Sequence, residues 1–337
     1  MQSPARFVLI VKLASLKLTL ACLLWLLVAV GLAYLNAADS YAQRSLAPWF
    51  LVPPLTLLAL NLIAAIVTNA SFRAQPALLL FHLSLLAIVL LLGVGHLTNM
   101  KGWTEVVAGG VYDGTVNEPR AGLLHPWHIR QLRFINEGFT IEYAPGPSRR
   151  HTSNRIRWQD DAGDEQVVVI GDQVPLQLQG YRFYTSFNKG FAPEFLWRNA
   201  QGKVYSGAVH LPAWPEHEFN QAVEWTPVGA QQPLWIQLEF DDPILLRDQS
   251  SQFRVPEDYQ LIVRLGPERH LLQPGDELAL AGGTLVFQGL TTWMGYSIFY
   301  DPSRYWLLAA CLLAVVSIAG HFWLKYSTSS WQVEGRG

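Results

Sequence analysis

Three of the nine histidines stand inside long apolar runs, and they are the residues most able to do chemistry. His82 is flanked by Leu80, Phe81 and Leu83, His96 lies near the far end of the same run, and His321 falls in the last apolar run of the chain. An ionisable, metal-binding side chain is costly in hydrocarbon, so each is a functional candidate by default. Imidazole is a usual axial ligand of haem iron. His82 and His96 are 14 positions apart, which is about 21 Å of helix rise and within about 40° of a whole number of turns. They share a helix face, as the ligands of two stacked haems would, but no other histidine matches His96 at the outer depth. His321 alone could match His82 in depth. Each residue also has a plainer reading. His96 and His321 can snorkel to an interface, and His82 can be a neutral imidazole bonded to a neighbouring helix.

Other chemistries are excluded by pattern. The remaining histidines (125, 128, 151, 210, 217 and 270) form no HExxH, and the chain has neither a GxSxG elbow nor a phosphate-binding glycine loop. His125-Pro126-Trp127-His128 invites a metal reading, yet residues three apart in an extended segment point to opposite faces, which leaves a surface or turn role. The only two cysteines, Cys22 and Cys311, sit in apolar runs and make no CxxC. That removes a disulfide framework, a thioredoxin-like redox motif, a cysteine zinc site and covalent haem attachment through CxxCH. Any haem held here would be bound by ligands alone. A net charge of -2 without basic clusters gives no electrostatic footprint for nucleic acid.

The elements that would position these histidines follow from hydropathy. Half of the 337 residues are hydrophobic and 15% charged, with the apolar residues gathered at the two ends. Four windows, beginning near Leu18, Trp49, Ala77 and Tyr305, approach the roughly 20 residues needed to cross about 30 Å of hydrocarbon. The first, Leu18 to Leu35, follows the basic leader Arg6, Lys12 and Lys17. A signal peptide cleaved near Leu35-Asn36-Ala37 is disfavoured, because this apolar core is longer than the usual ~7 to 15 residues and two more spans follow. In the second window, Pro53 and Pro54 are expected in the first turns, where proline is tolerated, and Asn61 reads as an interhelical hydrogen bond. Arg6, Lys12, Lys17, Arg73, Lys325 and Arg336 share one side if both termini are cytoplasmic, against Arg44 alone in the loop from Asn36 to Pro48.

Between Trp103 and Ser297 the pattern changes to short β-branched and aromatic segments, among them Phe139–Tyr143, Gln166–Ile170, Tyr181–Phe187, Leu234–Phe240, Tyr259–Leu265 and Thr284–Gln288. Turn-formers such as Pro145-Gly146-Pro147, Asp161-Ala162-Gly163 and Pro274-Gly275-Asp276 separate them, as in an antiparallel sandwich or open barrel. The expected fold is a membrane α+β protein: three N-terminal transmembrane helices in residues 1–100, an extracytoplasmic antiparallel β-rich domain in 101–303, a fourth transmembrane helix in 304–326 and a short cytoplasmic tail in 327–337.

With these elements laid out, the chain resembles the ResB/CcsB proteins of the system II cytochrome c biogenesis pathway. Leu13-Ala14-Ser15-Leu16-Lys17-Leu18-Thr19-Leu20 looks like the first span of that family, Trp49-Phe50 through Leu58-Ala59-Leu60-Asn61-Leu62 like the second, and Phe81-His82-Leu83-Ser84-Leu85-Leu86 with Gly93 like the third. Phe139 to Gly146, Pro175-Leu176 and Gly180-Tyr181-Arg182-Phe183-Tyr184 keep the family's order, and Tyr296 to Pro302 lead into the last span as its Asp-Pro step does. Ser303 stands where a glycine commonly follows, and the outer domain is short for the family.

The resemblance implies a partner of the CcsA (ResC) type, with which such proteins move haem b outward, non-covalently, and present it to apocytochrome c. It implies a bacterial inner-membrane, lipid-embedded accessory half of a haem transporter and cytochrome c synthetase, without independent catalytic residues. His82 matches the position understood to ligate haem, so metal contact would run through haem iron only, with His321 and His96 as weaker candidates. Two other classes compete: a b-type electron-transfer subunit using His82 and His321 within one chain, and a haem-free scaffold for exported proteins.

Overall fold

The computed structural model describes residues 10–37, 47–160, 162–216, 219–230 and 232–327. Contacts divide the chain into a helical unit, residues 1–97 with 302–337, and a β unit, residues 98–301.

The helical unit contains α1 (Leu16–Ala37), α2 (Ala47–Thr68), the short α3 (Ala70–Ala74), α4 (Pro76–Thr98) and α5 (Arg304–Ser327). Three of these carry segments long and apolar enough to cross a membrane: Phe50–Thr68, Pro76–Thr98 and Arg304–Ser327. In α1 the described apolar stretch, Leu16–Leu32, is 17 residues at most. Pro76 opens α4, where a missing N–H costs nothing. Pro53 and Pro54 differ from expectation. They lie in the second turn of α2, so the carbonyls of residues 49 and 50 lack their i+4 N–H partners. Asn61 behaves as expected: it is 5% exposed, its Nδ2 donates to Leu13 O and to Ser15 O, and its Oδ1 accepts from Thr19 Oγ1 at 2.8 Å. One side chain thereby satisfies the turn entering α1 and holds α1 to α2.

The β unit contains β1 (Met100–Val107), β2 (Val111–Tyr112), β3 (Asn117–Ala121), β4 (Phe134–Tyr143), β5 (Arg149–Gln159), β6 (Glu165–Ile170), β7 (Leu176–Leu178) and β8 (Tyr181–Asn199). Then follow β9 (Val204–Ala208), β10 (Ala222–Trp225), β11 (Leu234–Glu239), β12 (Ser251–Gln252), β13 (Gln260–Leu265), β14 (Glu268–Leu272), β15 (Glu277–Leu280) and β16 (Gly283–Tyr300). A seven-stranded sheet runs β3-β1-β16-β8-β7 with β15 and β9 at its side, a five-stranded sheet runs β12-β4-β5-β6 with β2, and a four-stranded sheet runs β10-β11-β13-β14. The described strand pairs are all antiparallel.

Two strands are far longer than their sequence windows, β8 at 19 residues and β16 at 18. They pair almost end to end, with the register shifting where Ser186-Phe187-Asn188 bulges opposite Gly295. The bulge accommodates the polar residues that break the apolar alternation in sequence. Tyr181, Phe183, Phe191, Phe195, Phe287 and Ile298 from this pair are fully or nearly fully buried in the main core. In the middle of β8 both faces are covered, because Ala213 and Ala208 pack with Ala192 and Trp293 on the opposite side of the sheet. A polar chain crosses the core: Tyr296 Oη donates to Asn154 Oδ1 at 2.7 Å, Asn154 Nδ2 to Asn136 Oδ1 at 2.7 Å, and Asn136 Nδ2 to Val106 O at 2.9 Å. All three side chains are fully buried and each is bonded, which is the condition for tolerating polarity there.

Candidate functional site

His82 lies six residues into α4, in a helix composed mostly of Leu, Ile, Val and Ala. Its Nδ1 is 2.7 Å from the carbonyl oxygen of Leu78, one turn earlier. A carbonyl only accepts, so Nδ1 is the donor, and a neutral imidazole then keeps its lone pair on Nε2. That is the nitrogen a metal can use, and bonding of the other ring N–H to a carbonyl is how ligating histidines are commonly oriented. The ring is half-buried between two aromatic neighbours, Phe72 of α3 at 4.5 Å between centroids and Phe81 at 5.3 Å, both edge-on. Ser84, two residues on, is buried and spends its hydroxyl on Leu80 O at 2.8 Å. The arrangement leaves one imidazole nitrogen available to a metal or a hydrogen-bond donor in an apolar setting.

The structure does not gather the three membrane histidines. His96 is exposed at the far end of α4, about 21 Å of helix rise from His82. His321 of α5 packs on Phe322 at 5.4 Å and lines a cavity of about 410 Å³ together with Gln75, Pro76, Ala77 and Lys325. His82 is not in that wall. Among the described residues no group of three or more His, Cys, Asp or Glu is placed to hold a bare metal ion. Cys22 is buried, Cys311 is exposed, and both are free thiols.

In the β unit, His125 departs from its expected surface or turn role. It is 5% exposed, its Nδ1 donates to Thr98 O at 2.8 Å, and its Nε2 accepts from Tyr181 Oη at 2.9 Å. His128 lies exposed on a single 3-10 turn, His128–Gln131. His217 falls outside the described residues. Three histidines pair with carboxylates: His270 Nε2 with Glu268, two residues away, at 3.5 Å, and, in ways the sequence could not show, His151 Nδ1 with Asp172 at 2.6 Å and His210 Nδ1 with Glu105 at 2.8 Å. Glu105 is fixed in turn by Asn188 Nδ2 at 2.9 Å, and the His210 ring lies parallel to that of Trp293 at 5.3 Å. No serine, threonine or cysteine nucleophile joins the His151 or the His210 pair among their described bonds, so both are imidazoles oriented by a carboxylate.

Lys189 was missed altogether. It is 3% exposed, and burial, helped by the repulsion of Arg149, holds its amine down to about 8. Its only signal in sequence is a lysine interrupting an aromatic strand.

Three apolar helices of membrane-spanning length joined to antiparallel sheets define a membrane-associated α+β protein. Residues 72–328, about three quarters of the chain, match the model of the ResB-like family. The chain belongs to that family, which is associated with cytochrome c biogenesis. The matched region contains His82, His96, His321 and the whole β unit, while α1 and α2 lie outside it. A search of curated proteins gave no match.

Proposed function

We propose that the chain is the accessory half of a haem-export and cytochrome c assembly complex in a bacterial inner membrane. His82 would hold the iron of a haem b through Nε2, non-covalently, on its way outward. A CcsA/ResC-type membrane partner supplies the second ligand, and apocytochrome c receives the cargo. The observation that carries this reading is the donor bond from His82 Nδ1 to Leu78 O, which leaves the other ring nitrogen as a base in an apolar, aromatic-lined setting. Membership of the ResB-like family supports the assembly role. The positive-inside bias supports cytoplasmic termini and an extracytoplasmic β unit, with α1 as a fourth span.

In this reading the residues of the chain hold and orient, and none makes or breaks a bond in the cargo. Haem brings the iron chemistry, and the protein brings ligand and geometry. A single-chain bis-histidine site is disfavoured, because His321 belongs to the wall of a separate cavity.

The test is the haem spectrum of the complex purified with its membrane partner. His82→Ala, at unchanged protein level, should remove most of the haem and stop cytochrome c maturation, and added imidazole should restore part of it. His96→Ala and His321→Ala should do less. A His82→Ala complex that keeps its haem spectrum and matures cytochromes would overturn the assignment. Absence of haem from the wild-type complex would favour a scaffold.

A further inference from the structure

The strands that enter and leave the β unit end at membrane-spanning helices. Residue Thr98 closes the apolar segment Pro76–Thr98, and Met100 opens β1 two residues later, paired with Tyr300 at the end of β16, just before the segment Arg304–Ser327 begins. This edge of the seven-stranded sheet is therefore tied by its own chain to the hydrocarbon boundary. Lys101 lies three residues past Thr98, at most about 10 Å of extended chain, and the headgroup layer on one side of a bilayer is roughly 5–8 Å deep.

What stands at that edge is basic and apolar. One cross-strand row reads Arg120 of β3, Lys101 of β1, Phe299 of β16 and Arg182 of β8. Lys101 and Arg120 are direct partners and both exposed. Like charges directly opposite one another destabilise a sheet unless something neutralises them. Among the described residues no carboxylate is ion-paired with Lys101, Arg120 or Arg182; the carboxylate nearest to Arg120 in sequence, Glu118, sits in the bulge of β3 with φ 45° and no ion pair of its own.

Directly after β3 come Leu123 and Leu124, 89% and 62% exposed, the first being the most exposed large hydrophobic among the described residues. Their exposure is not that of a loose loop. Gly122 N donates to Asn99 O at 2.9 Å, His125 N to Gly122 O at 3.1 Å, and His125 Nδ1 to Thr98 O at 2.8 Å, with Tyr181 Oη closing on His125 Nε2. The turn is pinned to the two residues at which the apolar segment of α4 ends. Trp127 follows, edge-on to His125 at 5.0 Å and capped by the Arg130 guanidinium at 5.1 Å. A tryptophan and arginines beside exposed leucines, at the end of a span, are the composition of a membrane interface.

We propose that this edge of the β unit seats on the bilayer its own helices cross, with Leu123 and Leu124 inserted among the lipids and Lys101, Arg120 and Arg182 holding the phosphates of anionic phospholipids. The lipid headgroup neutralises the Lys101–Arg120 pair, and the burial of the two leucines accounts for an apolar tip, pinned by hydrogen bonds, that no described residue of the β unit covers. The role gives His125 its meaning: it is the pin that fixes the tip to Thr98.

The experiment uses the full chain with Cys22 and Cys311 replaced by Ala and an environment-sensitive NBD label at Leu123→Cys, or at Gln201→Cys in the exposed turn after β8 as reference. Each is placed in nanodiscs of phosphatidylcholine alone and of phosphatidylcholine with phosphatidylglycerol. The label at 123 should emit to the blue of that at 201 and be shielded from iodide, more so with phosphatidylglycerol. Lys101→Gln with Arg120→Gln should shift the seated-to-free ratio towards free by about fivefold per residue, most of it with the anionic lipid. Leucines that do not touch lipid would leave the label at 123 as open to iodide as that at 201 in both discs, which overturns the proposal. Shielding that arises only when a partner protein is added also overturns it, in favour of a protein interface.

Discussion

Lys189 should give the β unit a stability that rises with pH above neutrality. Its side chain is 3% exposed, its Nζ has Phe187 O as acceptor at a long 3.4 Å, and the Tyr143 ring lies 5.9 Å away. Burial first, then the positive charge of Arg149, disfavours the ammonium, and Glu216 only partly offsets them, so the amine falls from 10.5 to about 8. A lysine lowered in the folded state is a penalty on folding that is complete below about pH 8, because the unfolded chain keeps the proton that the native chain prefers to lose. The penalty fades as pH climbs from about 8 towards 10.5, and its full size, from that fall, is roughly 3 kcal/mol. Tyr143 and Tyr181 act oppositely at higher pH: burial holds each hydroxyl up to about 12, so their contribution is present below pH 10 and is lost between about 10 and 12. Stability should therefore peak near pH 10. Lys189→Met should raise the low-pH arm, by about 2–4 °C in Tm for each kcal/mol regained in a unit of this size, and flatten the rise. Thermal unfolding of the full chain in detergent, followed through the fluorescence of buried Trp197, Trp214 and Trp293 from pH 7 to 11, measures both. Wild-type and Lys189→Met curves running parallel between pH 7.5 and 10 would refute the argument.

Two further outcomes are expected. Tyr296→Phe deletes the O–H that Asn154 Oδ1 accepts at 2.7 Å in the fully buried chain of polar residues, and should cost roughly 1–3 kcal/mol in urea unfolding of the full protein; Asn154→Leu, which strands both Tyr296 and Asn136, should cost more, and a neutral result would show that the network is replaceable. An alkaline phosphatase fused at Gly202, in the exposed turn between β8 and β9, should be active, and a cytoplasmic reporter there silent; the reverse would overturn the proposed orientation.

Much of the fold is legible in sequence because the signals that make it are local. The helices follow from length and hydropathy, and Asn61 announces its role by being polar in a span, though its partners Leu13, Ser15 and Thr19 are more than forty residues away. The strand windows find β6, β11 and β13 nearly whole and the second half of β4. They truncate β8 and β16, since the alternation fails at Asn188-Lys189-Gly190, where the second face of the sheet is covered by residues from 208 to 213 that no local pattern reveals. Charge pairs are less legible still. Glu105 and His210 are 105 positions apart, and the two cations of the Lys101–Arg120 pair meet only through strand register.

The histidines divide by how the fold meets their bonding demand. His125 has both ring nitrogens used, one by a carbonyl and one by a tyrosine, and is structural. His151 and His210 give Nδ1 to carboxylates in a unit where water can reach them. His82 gives Nδ1 to a carbonyl of its own helix, and among the described residues nothing meets Nε2 except the aromatic edges beside the ring. In water that nitrogen would be satisfied at once, whereas in hydrocarbon an unmet acceptor is a standing cost. His82, which apolar context singles out in the sequence, thus keeps one nitrogen without a partner among the described residues, and a ligand from outside the chain is the simplest way for that cost to be met.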